Sequence, residues 1–495
     1  MMTTAEVRVA EGYVDYRLCL PSSVVVYEII ERQLPWLRSE PGYGLQGDFV
    51  ALPRNWAGLY RDMVLGTGKG NHFGIKLNDR RILANSYGGT ATSNIVLDRY
   101  AVPGGERLQH DALEALSTGL DGTLQLYCGA GKTVIAIEHA IRTAKPCLIV
   151  VDNNVLLEQW VEALSKHTDY RGMDRHKWAS RPHVWSGRTG WARAAFTLTL
   201  YSRLADIVPT DEQRAFYGTV FYDEGHHLGS NTYSRCAGLF HGQRISLSAT
   251  PTRRDGMDEL VGVHLGGTLF KRLKPPFTPE VRVLQLPPTP ARLEPDFSTE
   301  QSLALIGARL ADDPPRVRAV TRLLQKLLRD GRRPLLLTRS LHALTNLAAD
   351  LAGEPLVDTK TDEERKKRLA ALLNLQPTVG ALAYEIPLEK RAPLCARPIL
   401  LSITRYGREG LDDPSRDTLV LHEPAVDVGL IQQMIGRILR PSATNNVRQV
   451  LILADMHPVT EAMLAKTKRA LRSWPVEQGG PYTHRTESIF DYISS

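Results

Sequence analysis

Cysteine is scarce. The chain has five in 495 residues, Cys19, Cys128, Cys147, Cys236 and Cys395. The number is odd and no two form a CxxC pair, which speaks against a disulfide framework and against structural zinc or iron–sulfur centres. No apolar run approaches the ~18 residues needed to cross a bilayer. Met1-Met2-Thr3-Thr4 leads into no basic-then-apolar stretch, so no secretory signal is expected and an intracellular, soluble protein is. There is no fixed-period repeat and no low-complexity tract. Aromatics make up 7%.

The remainder is ordinary for a folded protein, at 43% hydrophobic and 23% charged residues. The length suggests roughly three to four domains. Lys plus Arg is 61 against 54 Asp plus Glu, a net charge of +7. This excess suits a polyanionic partner without demonstrating one.

Residues 1–102 carry β-branched and aromatic runs broken by Gly and Pro, and read as a small mixed accessory domain. From 103 to 275 short apolar strands alternate with helical patterns, among them TLQLY (123–127), CLIVV (147–151), TVFYD (219–223) and RISLS (244–248). The pattern restarts over 276–457 with PLLLT (334–338), PILLSI (398–403), DTLVLH (417–422) and VLILAD (450–455). Alternation of this kind predicts α/β domains with parallel sheets. Residues 376–393 read as an irregular surface insertion, and 458–495 as a C-terminal helical tail.

Four motifs follow in order. The first, Gly129-Ala130-Gly131-Lys132-Thr133, lies between a strand and a helix. Its glycines admit phosphates to the backbone, Lys132 reaches the terminal phosphates and the Thr133 hydroxyl suits Mg²⁺. The strict GxxxxGK[ST] pattern fails because Leu126 occupies its first glycine. The second is Asp223-Glu224-Gly225-His226, about 90 residues downstream at the end of an apolar strand. There Asp223 would hold Mg²⁺ and Glu224 would act on water. The third is Ser248-Ala249-Thr250. The fourth, Gln433-x-x-Gly436-Arg437-x-x-Arg440, puts two arginines on one helix face. No Cys or His stands at a spacing that would make His226-His227 a metal site.

As a set these motifs resemble the superfamily 2 DExH helicases over about residues 105–455. Pro251-Thr252-Arg253-Arg254-Asp255-Gly256 narrows the resemblance to the xeroderma pigmentosum group B-like subgroup. Gly267, Lys271-Arg272 and Pro275-Pro276-Phe277 are similar to DNA helicases of large DNA viruses, of the poxvirus transcript-release type. The resemblance implies two tandem RecA-like parallel-sheet domains after the small N-terminal domain, with ATP and Mg²⁺ as cofactors. It implies DNA as partner, a single strand within a duplex, with RNA as the alternative polymer and transcription or replication proteins as further partners. A viral source would place the protein in the host cell and the virion.

By the same resemblance Gln109, in Leu108-Gln109-His110-Asp111-Ala112, would read adenine, with an ordinary helix start as the alternative. Gly410 and Asp412, in Glu409-Gly410-Leu411-Asp412-Asp413-Pro414, would touch nucleotide, although Asp413 stands where the family has an apolar residue. His226, Ser248, Thr250 and Gln433 would couple hydrolysis to motion, and Arg437 and Arg440 would act as arginine fingers worth about 10³-fold or more in rate. Nucleic-acid contacts fall on Gln159, Arg203, Arg339 and Thr404, beside Asn153, Tyr201, Thr338 and Ser340, each weighed evenly against a loop or core role. Trp160 is expected in the core.

Overall fold

The computed structural model describes residues 10–14, 17–21, 44–55, 75–79, 81, 84, 91–98, 107–169, 182–230, 232–249, 258–287, 310–357, 359–383, 393–404, 413, 415–424, 434–436, 438 and 447–495. The chain divides into two compact units. The first comprises residues 1–99, 107–126 and 131–272, and the second 100–106, 127–130 and 273–495.

The first unit opens with five short strands, β1 (Ala10–Val14), β2 (Leu18–Pro21), β3 (Gly44–Gln46), β4 (Phe49–Leu52) and β5 (Ile75–Asp79). They form one sheet in the order β3-β4-β2-β1-β5, antiparallel except where β1 meets β5. A two-residue strand, β6 (Thr92–Ser93), pairs with β9 (Thr168–Asp169).

Its main sheet contains β7 (Gly122–Leu126), β8 (Cys147–Val151), β10 (His183–Val184), β11 (Phe196–Leu200), β12 (Thr219–Asp223), β13 (Gln243–Ser248) and β14 (Thr268–Arg272). The order is β10-β11-β8-β12-β13-β7-β14 and every pairing is parallel. Both faces of such a sheet are covered, so its central strands read as continuous apolar runs, as CLIVV does.

The early five-stranded sheet is bolted to this core. Arg54, just past β4, sends Nε and Nη2 to the two oxygens of Asp121 at 2.8 and 2.6 Å. It also donates to the carbonyls of His241 and Gly242, both at 2.7 Å. Asn55 donates its side-chain amide to Asp121 and to the His264 carbonyl, each at 2.9 Å. Burial pushes the Asp121 carboxyl up, but Arg54 and Arg244 more than offset this and hold it below the usual carboxylate range.

The second unit is again all parallel: β15 (Glu280–Gln285), β16 (Pro334–Thr338), β17 (Val379–Leu382), β18 (Ile399–Ile403), β19 (Thr418–Leu421), β20 (Gln449–Ala454) and β21 (His484–Ser488), in the order β17-β18-β16-β19-β20-β15-β21. The helix Pro314–Arg329 starts with proline in its first turn and buries Val317, Val320, Leu323, Leu324 and Leu327 on one face. Each fully buried leucine or valine contributes about 1.5–3 kcal/mol. The helices Leu341–Leu351 and Asp362–Leu375 complete that side of the core.

Two sequence expectations need correction. Residues 376–393 are not irregular throughout, because Val379–Leu382 is a buried edge strand. Gly380 permits it, since a Cβ there would collide with the Leu394 carbonyl. Residues 458–495 are not a helical tail. After the helix Pro458–Arg472 the chain adds β21 beside β15, and Ile489 and Tyr492 enter the core. Strand β11, FTLTL, was not anticipated either. The fold class is as expected: two tandem RecA-like parallel-sheet domains.

Candidate nucleotide and nucleic-acid sites

In the first unit Lys132, Asp223, Glu224, His226 and Ser248 lie at or follow the carboxyl ends of the parallel strands β7, β12 and β13, where open α/β sheets bind ligands. The loop after β7 turns through Gly129 and Gly131, with φ of 89° and 90°. This left-handed region is open to glycine at little cost. Gly131 is doubly required, because an added Cβ would meet the Gln109 amide.

The helix Lys132–Thr143 begins there, with Gly131 as its N-cap and no side chain capping it. The helices beginning at Asn154, Leu341 and Asp362 are instead capped by Asn153, Ser340 and Thr361. An uncapped, glycine-led helix start presents N–H groups and a positive dipole end to an anion. Lys132 Nζ lies over the loop, donating to the Leu126 carbonyl at 3.3 Å.

Gln109 lies in the first turn of the helix Leu108–Leu116 and is held by Asp98. The Asp98 carboxylate accepts the Gln109 N–H at 2.8 Å and faces His110 Nδ1 at 2.7 Å, while the Asp98 N–H donates to Gln109 Oε1 at 2.7 Å. Asp98 therefore caps this helix from outside it, at a φ of 51°. The exchange turns the Gln109 amide nitrogen toward Gly131.

Asp223 ends β12 and Glu224 follows at a φ of 48°, a strained position of the kind that collects at functional sites. Asp223 Oδ2 accepts from Trp160 Nε1 at 2.8 Å, and the Asp223 carbonyl accepts from Tyr201 Oη at 2.9 Å. Burial and the Glu224 carboxylate raise the Asp223 pKa against the pull of Trp160 and Lys132. Burial pushes Glu224 the same way, but His226 and Lys132 outweigh it and hold Glu224 below its ordinary value. His226 Nδ1 lies 3.4 Å from Glu224 and its ring stacks on His227 at 4.5 Å. Gly225 passes so close to β13 that a Cβ would strike the Ser246 hydroxyl. Ser248 is buried at the end of β13.

Mg²⁺ at a phosphate site takes one or two carboxylates with phosphates and water, and the Asp223 carboxylate at the end of β12 is a ligand of that type. No cluster of three or more His, Cys, Asp or Glu able to hold a metal occurs among the described residues.

The nucleic-acid candidates divide. Gln159 and Arg203 are half-buried, and Arg203 keeps a buried Nε with no hydrogen-bond partner among the described residues. Tyr201 is a core residue, stacked between Tyr222 and Tyr233. In the second unit Arg339 is exposed just past β16. Thr404 is a poorer phosphate donor than expected, because its one hydroxyl hydrogen goes to the Thr338 carbonyl at 3.1 Å. Thr338 is fully buried, and Ser340 and Asn153 serve as helix caps.

Asp413, the departure from the family element, pairs with buried Arg416 at 2.9 Å. Burial lowers the Arg416 pKa to about 10, and Asp413 supplies the compensating charge an apolar residue would not. Thr250, Gly410, Asp412, Gln433, Arg437 and Arg440 lie outside the described residues. Asp98 is absent from the sequence expectations, and Trp160 and Tyr201 enter them as a core residue and a nucleic-acid contact rather than as supports for Asp223. Their roles depend on tertiary contacts that no motif encodes.

Residues 105–253 match the family model described as Type III restriction enzyme, res subunit. The chain resembles superfamily 2 helicases of the XPB-like and viral kinds. It is 29% identical over 165 residues to the DNA 3'-5' translocase XPB2 of Sulfurisphaera tokodaii, covering 33% of this chain and 35% of that protein. It is 24% identical to the putative ATP-dependent RNA helicase L396 of Acanthamoeba polyphaga mimivirus, over 72% of this chain and 64% of the relative. A putative helicase, 161L of Invertebrate iridescent virus 6, is 24% identical over 69% of this chain and 74% of its own length. The chain thus spans from about a third to just under two thirds of the first two relatives. No described helix is long and apolar enough to cross a membrane.

Proposed function

We propose that the chain is an ATP-dependent DNA helicase of superfamily 2 that couples ATP hydrolysis to movement along and unwinding of DNA. The supporting observation is the paired carboxylates of Asp223 and Glu224 at the end of β12, within the electrostatic reach of Lys132 on an uncapped glycine loop. Gly129, Ala130 and Gly131 cradle the phosphates through backbone N–H groups. Lys132 neutralises the terminal phosphates, and Gln109, whose amide oxygen is held by the Asp98 N–H, would read the base.

Mg²⁺, held by Thr133 and Asp223, would supply charge neutralisation on the transferred phosphoryl group. Trp160 aims the Asp223 carboxylate. Glu224 orients the attacking water and takes its proton. His226 and Ser248, with Thr250 and Gln433, pass the phosphate state onward. Arg437 and Arg440 stabilise charge at the γ-phosphate, with Gly410 and Asp412 completing the nucleotide contacts. Gln159, Arg203 and Arg339 hold the strand through its phosphates, and Thr404 braces the loop carrying Arg339.

Steady-state ATP hydrolysis with single-stranded DNA, duplex DNA, single-stranded RNA or no polymer tests the reading. It is run at low salt because phosphate contacts weaken with ions. Stimulation by DNA supports the proposal. Stimulation by RNA alone would favour the second reading, an RNA helicase, which the name of the mimivirus relative suggests. A DNA-stimulated ATPase that displaces a triplex strand but separates no duplex would instead be a translocase.

A further inference from the structure

A buried polar chain runs beneath the loop that follows β16. It starts at Asp455, just past β20, whose carboxylate takes Arg316 Nε and Nη2 at 2.7 and 3.1 Å. Both side chains are shut off from solvent. Arg316 Nη1 meets His422 Nε2 at 2.5 Å. A guanidinium can only donate, so Nε2 is the acceptor and the imidazole carries its hydrogen on Nδ1. That N–H donates to Glu423 Oε1 at 2.8 Å.

Glu423 Oε1 also accepts the Thr338 hydroxyl at 2.8 Å, and Oε2 accepts the backbone N–H of Arg339 at 3.3 Å. The loop itself is two residues long. The Ser340 N–H goes to the Thr338 hydroxyl at 3.2 Å, and the Ser340 hydroxyl caps the next helix through Ala343. With its backbone tied this way, what projects from the loop is the Arg339 side chain, which is exposed.

Asp455 and Glu423 are acidic, Arg316 is basic and His422 sits between them with one defined hydrogen. So many buried, mutually satisfied polar groups in place of an apolar core fix geometry rather than add stability. We propose that Glu423 is the positioning residue for a phosphate grip made by Arg339, anchored from behind by His422, Arg316 and Asp455. The partner is the phosphate backbone of a nucleic-acid strand, so the inference rests on the polymer-binding reading above. A guanidinium recognises phosphate through a planar, directional pair of bonds, so a loop free to swing forfeits most of that contact.

Polymer-stimulated ATP hydrolysis and fluorescence-anisotropy binding of single-stranded DNA, on the full chain, test this. Glu423→Gln keeps the shape, but its amide hydrogens face either the Arg339 N–H or the Thr338 and His422 donors. It should raise the half-saturating DNA concentration about tenfold while the rate at saturating DNA moves less than twofold. Thr338→Val should reproduce the effect and Thr338→Ser should reverse it. A purely structural role would lower the saturated rate as well.

In the double variant with Arg339→Ala, Glu423→Gln should add less than twofold. Full additivity, or an unchanged half-saturation in both Glu423→Gln and Thr338→Val, overturns the inference. If Glu423→Gln does not fold, Thr338→Val decides alone. If the wild-type chain neither binds nor is stimulated by any polymer, the functional reading falls and this inference with it. If Arg339→Ala weakens binding while the Glu423 and Thr338 variants do not, only this inference falls.

Discussion

Replacing Arg54 with methionine should cost the first unit about 3–5 kcal/mol, the penalty for breaking one side of a buried ion pair. The side chains of Arg54 and Asp121 are 4% and 5% exposed, so water cannot repair the loss. Arg54 donates four hydrogen bonds, two to Asp121 and one each to the His241 and Gly242 carbonyls. After the substitution Asp121 keeps Asn55 and the Arg244 N–H as its donors among the described residues. For a unit of this size the melting temperature should fall by roughly 6–20 °C. Urea unfolding followed by tryptophan fluorescence would measure it.

The pH dependence adds a second readout. Asp121 has a depressed pKa in the wild type. Its contribution is therefore present above the unfolded value of about 3.9 and is lost as pH falls through the folded value. In the variant the pull of Arg54 is gone, burial is opposed only by Arg244 among the groups that shift it, and the folded value rises. The penalty is then greatest at neutral pH and shrinks as the carboxyl protonates. A loss under 1 kcal/mol, or a deficit independent of pH between 4 and 7, would refute the claim that this pair is dry and structural.

Three further outcomes follow from the site. Glu224→Gln should bind ATP normally and lose turnover by at least about a hundredfold, in line with removal of a general base; single-turnover hydrolysis near the wild-type rate would remove Glu224 from that role. Trp160→Phe deletes the 2.8 Å bond to Asp223 and should lower kcat roughly 10- to 100-fold, the worth of a hydrogen bond to a charged group, with a higher Mg²⁺ requirement in a titration. Arg437→Ala should lose about 10³-fold in ATPase rate with little change in DNA affinity, and an unchanged rate would end the arginine-finger assignment.

The apolar strands were legible because they are long, uninterrupted and buried on both faces. Cys147–Val151, Thr219–Asp223 and Pro334–Thr338 occur where the sequence predicts. The phosphate loop was legible because its glycines are needed for backbone shape, as the φ values at Gly129 and Gly131 show. Edge strands were not. Val379–Leu382 contains a glycine and lies in a Pro-containing stretch, and His484–Ser488 is polar and partly exposed, so neither has the strand signature. The supports behind the site were hidden for another reason. Trp160 reads as any buried aromatic, and its indole N–H matters only because Asp223, far along the chain, ends beside it. Thr338 and Thr404 stand among the sequence's candidate nucleic-acid contacts, yet both hydroxyl hydrogens are spent inside the unit.

The pairing of β15 with β21 has a consequence for how the second unit is made. Val281 sits opposite His484, so the two strands meet across about 200 residues of intervening chain. During synthesis β15 can find β20 earlier, but its other flank stays open until His484–Ser488 has left the ribosome. An exposed parallel edge is a template for another chain. A message truncated before residue 484 would therefore produce a protein with every nucleotide motif intact and one sticky border, which would be lost to aggregation rather than to faulty chemistry.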